Sequence, residues 1–585
     1  MNSEIRQCQN CKQNFVIEPE DFLFYEKMKV PPPTWCPECR MIRRFAFRHE
    51  RGLNRVKDAH FGKEIFSGIS SQSGLTVYGH DYWWSDNWDA MDYGREYDFS
   101  RPFFEQFREL MYQVPWPSRG IIELVNSDYS DKASYMKNCY LCFNTVQAED
   151  SAYVTSSRDI RNSFDITEGG KLELCYQSQE VGDSYKTFFS LYCDQTNGVW
   201  FSRDCTGCTD CFGCVNLRSK QYYIFNEPYT KEKYFTKLKE MDLGSYRNWS
   251  VIANKVKEKW LSHPYKCFHG THNVNVSGDC VHNSKNAHLC YQVDDVENAK
   301  FCQNININTK DAYDYTTWGE NAELVYESVE TGLNCRNVRF SFDSWPAMQD
   351  SEYVAKCGSS SNLFGCVGLK KKSYCILNKQ YTPEEFHSLR EKIMRHMDEM
   401  PYVDALGRAY KYGEFLPPEF SPYSYHETVA QDYFPLTPKE VRQKGFKWLD
   451  PEVRDIKITK QSHELPDHIN ATDDSILSEV IACSLCHNPY RVIVAEFQFL
   501  KSQGIPLPRS CWECRHRERT SWVNIPKYYN SRCQCIGKKS INDVYTNTSK
   551  HPHGIAQCAN EFLTTFSPDC KEIVYCEACY QNEIM

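Results

Sequence analysis

No run of eighteen apolar residues occurs in the chain, and Met1-Asn2-Ser3-Glu4-Ile5-Arg6 leads into no apolar secretion segment. The first absence excludes a membrane-spanning helix, and the second points to a cytoplasmic protein with reduced thiols, since disulfides need an oxidising compartment. The sequence also lacks a Gly-x-Ser-x-Gly elbow, a Gly-x4-Gly-Lys-Ser/Thr phosphate loop and a His-Glu-x-x-His helix, which removes the commonest hydrolase, nucleotide-binding and metalloprotease signatures. His272, His282 and His288 lie near turns and read as solvated or core residues rather than catalytic ones. Positive charge is lacking as well: the net charge of -9 makes the molecule a poor general binder of nucleic acid, so any such activity must be local.

What is present in excess is sulfur and aromatic carbon. There are 30 Cys, 38 Tyr, 33 Phe and 13 Trp in 585 residues, with a mean hydropathy of -0.63. Rings and thiols must therefore supply much of the core that aliphatic residues supply elsewhere. The length suggests about four folding units.

Cys8-x2-Cys11 with Cys36-x2-Cys39 returns as Cys483-x2-Cys486 with Cys511-x2-Cys514, every cysteine displaced by 475 positions without a gap. Phe22 and Phe24 return as Phe497 and Phe499, and Glu38-Cys39-Arg40 as Glu513-Cys514-Arg515. Two tight pairs separated by a longer excursion are what a structural, four-thiolate zinc site requires, with the excursion expected as a small β-ribbon. A third zinc site is expected from Cys533-x-Cys535 and Cys576-x2-Cys579, with His551, His553 and Cys558 between them as substitute ligands. That makes about three ions. The same 475-residue shift maps the last ribbon onto a degenerate knuckle around Asp58, His60, His80 and Asp81, where no metal is expected and Tyr82, Trp83, Trp84 and Trp88 replace it by packing.

A second duplication fills the middle. Phe212-Gly213-Cys214-Val215 aligns with Phe364-Gly365-Cys366-Val367 at a shift of 152, and Glu173-Leu174-Cys175-Tyr176 with Glu323-Leu324-Val325-Tyr326 at 150. Inside each copy an Asn, Asp, Ser or Gly turn followed by an aromatic recurs roughly every 11 to 12 residues, as stacked short strands would require. A β-solenoid of about 22 to 24 residues per coil is the expected form, with an antiparallel meander or sandwich as the alternative. Thr382-Pro383-Glu384-Glu385 opens a capping helix after the second copy, and Thr230 a weaker one after the first. Cys205-x2-Cys208-x2-Cys211-x2-Cys214 could hold a cluster, but the second copy has Cys357, Ser360, Leu363 and Cys366 there, which favours buried structural cysteines.

The fold expected is multidomain and mainly β, with terminal zinc ribbons flanking two duplicated β-solenoid-like or β-meander repeats, each ending in a capping helix. The segments run 1–50 (zinc ribbon), 51–124 (degenerate ribbon and aromatic linker), 125–257 and 258–398 (repeat copies with their helices), 399–475 (Pro/Tyr-rich connector), 476–525 (zinc ribbon) and 526–585 (second C-terminal ribbon).

Cys36-Pro37-Glu38-Cys39-Arg40, Trp83-Trp84-Ser85-Asp86, Asp98 through Phe107, the Phe-Gly-Cys-Val repeats and Val574-Tyr575-Cys576-Glu577 together resemble a zinc-ribbon family of candidate-phyla-radiation bacteria over nearly the whole chain. Sequences of that kind are often assigned to the CaiB/BaiF family of CoA transferases. The long aliphatic strands and alternating helices of such an α/β enzyme are absent, and only 27 glycines are spread over the chain. Where the family carries cysteines in its second knuckle, this chain has Asp58, Phe61, Gly79 and Tyr82.

The functional expectation is a non-enzymatic zinc-binding protein. Arg40, Arg43, Arg44, Arg48 and Arg51 follow the first ribbon, and Arg515, Arg517 and Arg519 the second, where guanidinium groups among aromatics suit RNA or DNA. The competing reading is that these arginines pair with carboxylates of the repeat domains and pin the ribbons in place. A protein-assembly scaffold is the alternative function, and a motifless enzyme such as a CoA transferase the third.

Overall fold

The computed structural model describes residues 2–450 and 456–584. Most regular structure is β, and no helix among the described residues is long and apolar enough to cross a membrane. Two compact units emerge, one built from Met1–Arg119, Phe268–Asp450 and Ile525–Tyr528, the other from Gly120–Cys267, Pro451–Asn524 and Tyr529–Met585. Each unit therefore combines one copy of the middle repeat with the ribbon from the opposite end of the sequence.

In the second unit, strands from Ile121–Val125 to Gln221–Ile224 form a parallel ladder closed by a hairpin to Glu227–Pro228. Ile121 pairs with Ala133, Ala133 with Thr145, Thr145 with Ser157, Ser157 with Gly169 and Gly169 with Val181. Every step is twelve residues, half the 22 to 24 expected, and parallel rather than antiparallel. The cause lies in the backbone. Lys132, Tyr135, Asn138, Leu141, Asn144, Gln147, Asp150 and Tyr153 all have left-handed φ, one at every third position. Four such residues per step turn the chain within twelve residues. Each non-glycine costs roughly 1–2 kcal/mol, offset by bonds from one step to the next, such as Asn138 N–H to Val125 O at 2.9 Å and Asp150 N–H to Lys137 O at 3.0 Å. Asn side chains stack likewise, Asn126 donating to Asn138 at 3.1 Å and Asn138 to Asp150 at 2.8 Å.

The four-cysteine run follows from this geometry. Cys205, Cys208, Cys211 and Cys214 are spaced by three, so each occupies an inward position of one step, and all are fully buried. Their sulfurs lie against carbonyls, as Cys208 Sγ does with Thr206 O at 3.5 Å and Leu217 O at 3.6 Å. The cysteines act here as small apolar core residues, sharing the interior with Val154, Ile160, Val181 and Val199.

The ladder of the first unit runs from Gly270–Thr271 to Ser373–Ile376 and closes with a hairpin to Lys379–Gln380. Its steps are twelve residues at Val281 to Val293 but thirteen from Ala312 to Val325 and from Val325 to Val338. The thirteen-residue steps from Val325 to Val338 and from Val338 to Ser351 account for the drift of the sequence shift between the copies from 150 to 152. Helix Pro383–Glu399 follows with the expected capping box, Glu385 N–H to Thr382 Oγ1 at 3.3 Å and Thr382 N–H to Glu385 Oε2 at 3.0 Å. Helix Lys231–Met241 of the other unit is capped by Thr230.

Each ribbon docks on the ladder of its own unit in the same way. In the first unit, helix Pro37–Phe45 buries Arg40, Arg43 and Arg44. Arg40 Nη2 and Arg44 Nη1 hold the two oxygens of Asp314 at 2.8 and 3.0 Å, while Arg43 Nη2 reaches Glu327 at 2.8 Å and its Nη1 reaches Glu414 at 3.1 Å. Phe24 stacks on Tyr313 at 3.9 Å. In the other unit, Arg515 Nε and Arg519 Nη1 hold Asp165 at 2.8 and 3.2 Å, Arg515 also reaches Glu496 at 2.9 Å, and Phe499 packs on Phe164. Burial pushes Glu496 up to about 7, against the pull of Arg515.

Removing one carboxylate from such a junction leaves two buried guanidinium groups without their shared partner, at a cost of about 3–5 kcal/mol. Asp314→Ala should therefore expose the ribbon of residues 8–39 to fast amide exchange while the ladder stays protected, and Asp165→Ala should do the same for residues 483–514. Unchanged exchange in both ribbons would show that these pairs do not hold the docking.

Candidate metal centres

The first cluster is assembled from a hairpin and a helix. Strands Glu4–Gln7 and Asn14–Ile17 pair antiparallel, and the turn between them carries Cys8 and Cys11, with Lys12 left-handed. Cys36 is the N-cap of helix Pro37–Phe45, and Cys39 sits in its first turn. A helix N-terminus favours the thiolate form. The excursion between the pairs is not a β-ribbon as expected but helix Pro19–Met28, started by Pro19 and a reciprocal cap between Glu18 and Asp21.

All four sulfurs lie within 4.8 Å of one another. Cys11 and Cys36 Sγ are 3.8 Å apart, and the Cys36 N–H and Asn10 Nδ2 donate to the sulfurs of Cys8 and Cys39 at 3.2 and 3.3 Å. A tetrahedron with metal–sulfur bonds of about 2.3 Å has edges of about 3.8 Å, far longer than a disulfide. The hydrogen bond from Cys36, followed by that from Cys39, holds Cys8 well below the ordinary thiol range.

The second cluster repeats the plan. Cys483, Cys486, Cys511 and Cys514 converge equally closely, with Cys486 and Cys511 Sγ 3.7 Å apart and the Cys511 N–H on Cys483 Sγ at 3.3 Å. Cys511 caps helix Trp512–Thr520, and helix Val494–Gln503 fills the excursion. Burial pushes the Cys483 thiol up, but amides of Cys486, Cys511 and Leu485 outweigh it and bring it down to about 6.

At the C-terminal end the expected set divides. Cys533, Cys576 and Cys579 converge with Cys558, whereas Cys535 converges with His551, His553 and again Cys579. A one-residue spacing is too short to close the turn that a Cys-x2-Cys pair makes, so Cys533 and Cys535 join different groups. The loop residues are ligand candidates in their own right rather than substitutes. Cys558 and Cys576 Sγ are 3.9 Å apart, and the hydrogen bond from Cys533 brings Cys576 down to about 4. All thirty cysteines of the chain stand as free thiols.

The segment of the expected degenerate knuckle is laced by side-chain contacts. Asp58 accepts from the amides of His60 and Phe61, His60 stacks on Tyr82 at 3.6 Å, and His80 Nδ1 reaches Arg119 O at 3.1 Å. Elsewhere His269, Asp279 and Cys280 form a buried trio, with His269 Nδ1 3.0 Å from Asp279.

The arginines expected to face RNA or DNA are mostly inside. Arg40, Arg43, Arg44, Arg48, Arg515 and Arg519 are buried in ion pairs, Arg48 with Glu50 and Glu330. Arg51 grips Asp432 at 2.6 Å. Arg517 alone of the eight is well exposed, 3.5 Å from Glu513. The physical reason is the acidic ladder face beneath each ribbon, a long-range partner invisible in local sequence.

No family model matches the chain, and no curated protein does. Among solved structures, a crystal structure from Desulfovibrio desulfuricans G20, whose name assigns it only provisionally to the acetyltransferases, aligns over 50% of this chain and 86% of its own at 9% identity and a TM-score of 0.10. At that score the likeness carries no argument.

Because metal binding supplies most of the folding energy of so small a module, Cys36→Ser should unfold residues 8–39 locally and lower the bound metal by one ion per chain. Elemental analysis of the purified variant checks this, and an unchanged metal content would remove the first cluster as a site.

Proposed function

We propose that the protein is a non-enzymatic, zinc-stabilised scaffold that docks a protein partner on the ladder of its second unit. Zinc is the metal that best suits closed tetrahedral groups rich in thiolate, with no position left for a reacting water. The parallel register of twelve to thirteen residues and the left-handed residue at about every third position support reading both ladders as β-solenoids with four short walls per coil. The abundance of free thiols supports a reducing, cytoplasmic setting.

The observation that carries the function is an open groove of about 930 Å³ on the first repeat copy. Two mainly polar rows line it at twelve-residue intervals, with Ala148, Ile160, Leu172, Ser184 and Thr196 between them. One reads Lys137, Glu149, Arg161, Glu173, Tyr185 and Asn197, and the other Tyr135, Gln147, Asp159, Lys171, Asp183 and Gln195. Charges alternate along each row and pair across steps, Lys137 with Glu149 at 2.6 Å and Lys171 with Asp183 at 3.3 Å. Such a surface offers many directed polar contacts without a basic track for phosphates, which favours a polypeptide over RNA or DNA. The burial of the arginines weighs the same way.

Affinity capture from native lysate, with and without nuclease, tests this reading. The captured partner should survive nuclease, and a Lys137→Glu/Arg161→Glu double variant should lose at least about tenfold in its binding while keeping its metal content. Loss of the bound material on nuclease treatment would return the function to RNA or DNA binding.

A further inference from the structure

The C-terminal module presents seven ligand residues in two groups that share one of them. Cys533, Cys558, Cys576 and Cys579 form one group, and Cys535, His551, His553 and Cys579 the other. Two separate tetrahedral ions need eight donors, and seven suffice only if one sulfur serves both. We propose that this module holds two divalent tetrahedral cations of the zinc class, bridged by the Cys579 thiolate. The proposal rests on reading the cysteine groups as metal sites and adds an ion and a bridge to that reading.

The imidazoles are already oriented for the task. His551 Nε2 is 2.9 Å from the Glu583 carboxylate, an acceptor, so Nε2 carries the proton and Nδ1 is bare, 3.5 Å from Cys535 Sγ. His553 Nδ1 lies 2.8 Å from Ala556 O, so the bare nitrogen is Nε2, 3.4 Å from Cys579 Sγ. A histidine ligand needs its other nitrogen tied to an acceptor in this way. Bonds of about 2.05 Å to nitrogen and 2.3 Å to sulfur around a tetrahedral ion give a nitrogen–sulfur edge of about 3.5 Å, which both pairs match. Glu583 is itself fixed, accepting from the Thr548 N–H and Tyr545 Oη.

Charge also comes close to balance. Five thiolates and two neutral imidazoles around two dications leave one negative charge. Donors converge on the sulfurs that are not shared: Gly537 N–H and Asn547 Nδ2 on Cys535 at 3.4 and 3.2 Å, Asn560 Nδ2 on Cys576 at 3.3 Å, and Cys576 N–H on Cys533 at 3.3 Å. Cys579 stands in the first turn of helix Glu577–Glu583, just after its N-cap Cys576. The sharing also explains the odd Cys533-x-Cys535 spacing, since one strand end must feed two neighbouring ions.

Cobalt substitution of the intact chain tests the bridge. The full-length protein, freed of native metal and loaded with Co²⁺, should bind four ions, of which about half are missing from the electron paramagnetic resonance signal because two spins couple through the shared sulfur. A His551→Ala/His553→Ala variant should bind three ions, all visible. Four fully visible ions, or three in the unaltered chain, would overturn the bridge while leaving single-ion sites intact. Binding of none would instead overturn the metal reading itself.

Discussion

A carboxylate shared by two buried arginines is the interaction on which the arrangement of each unit depends. Asp314 takes Arg40 and Arg44, and Asp165 takes Arg515 and Arg519. The arginines are related by the 475-residue shift of the ribbons and the aspartates by a 149-residue shift of the ladders. The same contact therefore survives two independent spacings. Such a contact contributes little net stability over a well-packed apolar one, but it tolerates no wrong partner. It lets a ribbon at one end of the sequence select a ladder more than a hundred residues away.

The ladders meet a different demand. Their chain turns every three residues, so each step can place only a few small side chains inside, and Cys, Ser, Thr, Ala and Val dominate there. The large rings lie along the outer edge, where ribbons and helices cover them: Phe24 lies on Tyr313, and Phe499 on Phe164 and Tyr176. Sulfur thus has two roles in one chain. Thiols in the ladders are packing atoms whose ionisation burial opposes, as with Cys175, pushed up to about 12. Thiols at the starts of helices Pro37–Phe45, Trp512–Thr520 and Glu577–Glu583 instead gather in groups that could hold a metal.

How much of this was legible in the sequence depends on the range of the interaction. The cysteine quartets of the two ribbons, the capping box at Thr382 and the internal duplications are written in local spacing and reappear in the structure. The 11-to-12-residue interval of the aromatics matches the twelve-residue register of the ladder, but nothing in the spacing says whether one interval or two make up a coil, and the expected coil of 22 to 24 residues takes two. Helices Pro19–Met28 and Val494–Gln503 are hidden in the sequence because paired cysteine knuckles suggest a ribbon and because apolar residues such as Leu23 and Val494 stand on their outward faces and blur the helical period. The role of Arg43 or Arg519 could not be separated from phosphate contact by sequence, since their partners lie far away along the chain. Cys558, His551 and His553 were visible as candidates, but the sharing of Cys579 is a matter of three dimensions.

The thirteen-residue steps between Ala312 and Val338 have a consequence for how such a chain can change. One added residue is absorbed at a corner without disturbing the pairs above and below, while a whole added step merely lengthens the stack. The repeat therefore has two permitted units of insertion, one and twelve. Divergence between the copies can accumulate as length without loss of register, and the reach of the lined groove is a quantity the gene can lengthen or shorten by whole rungs.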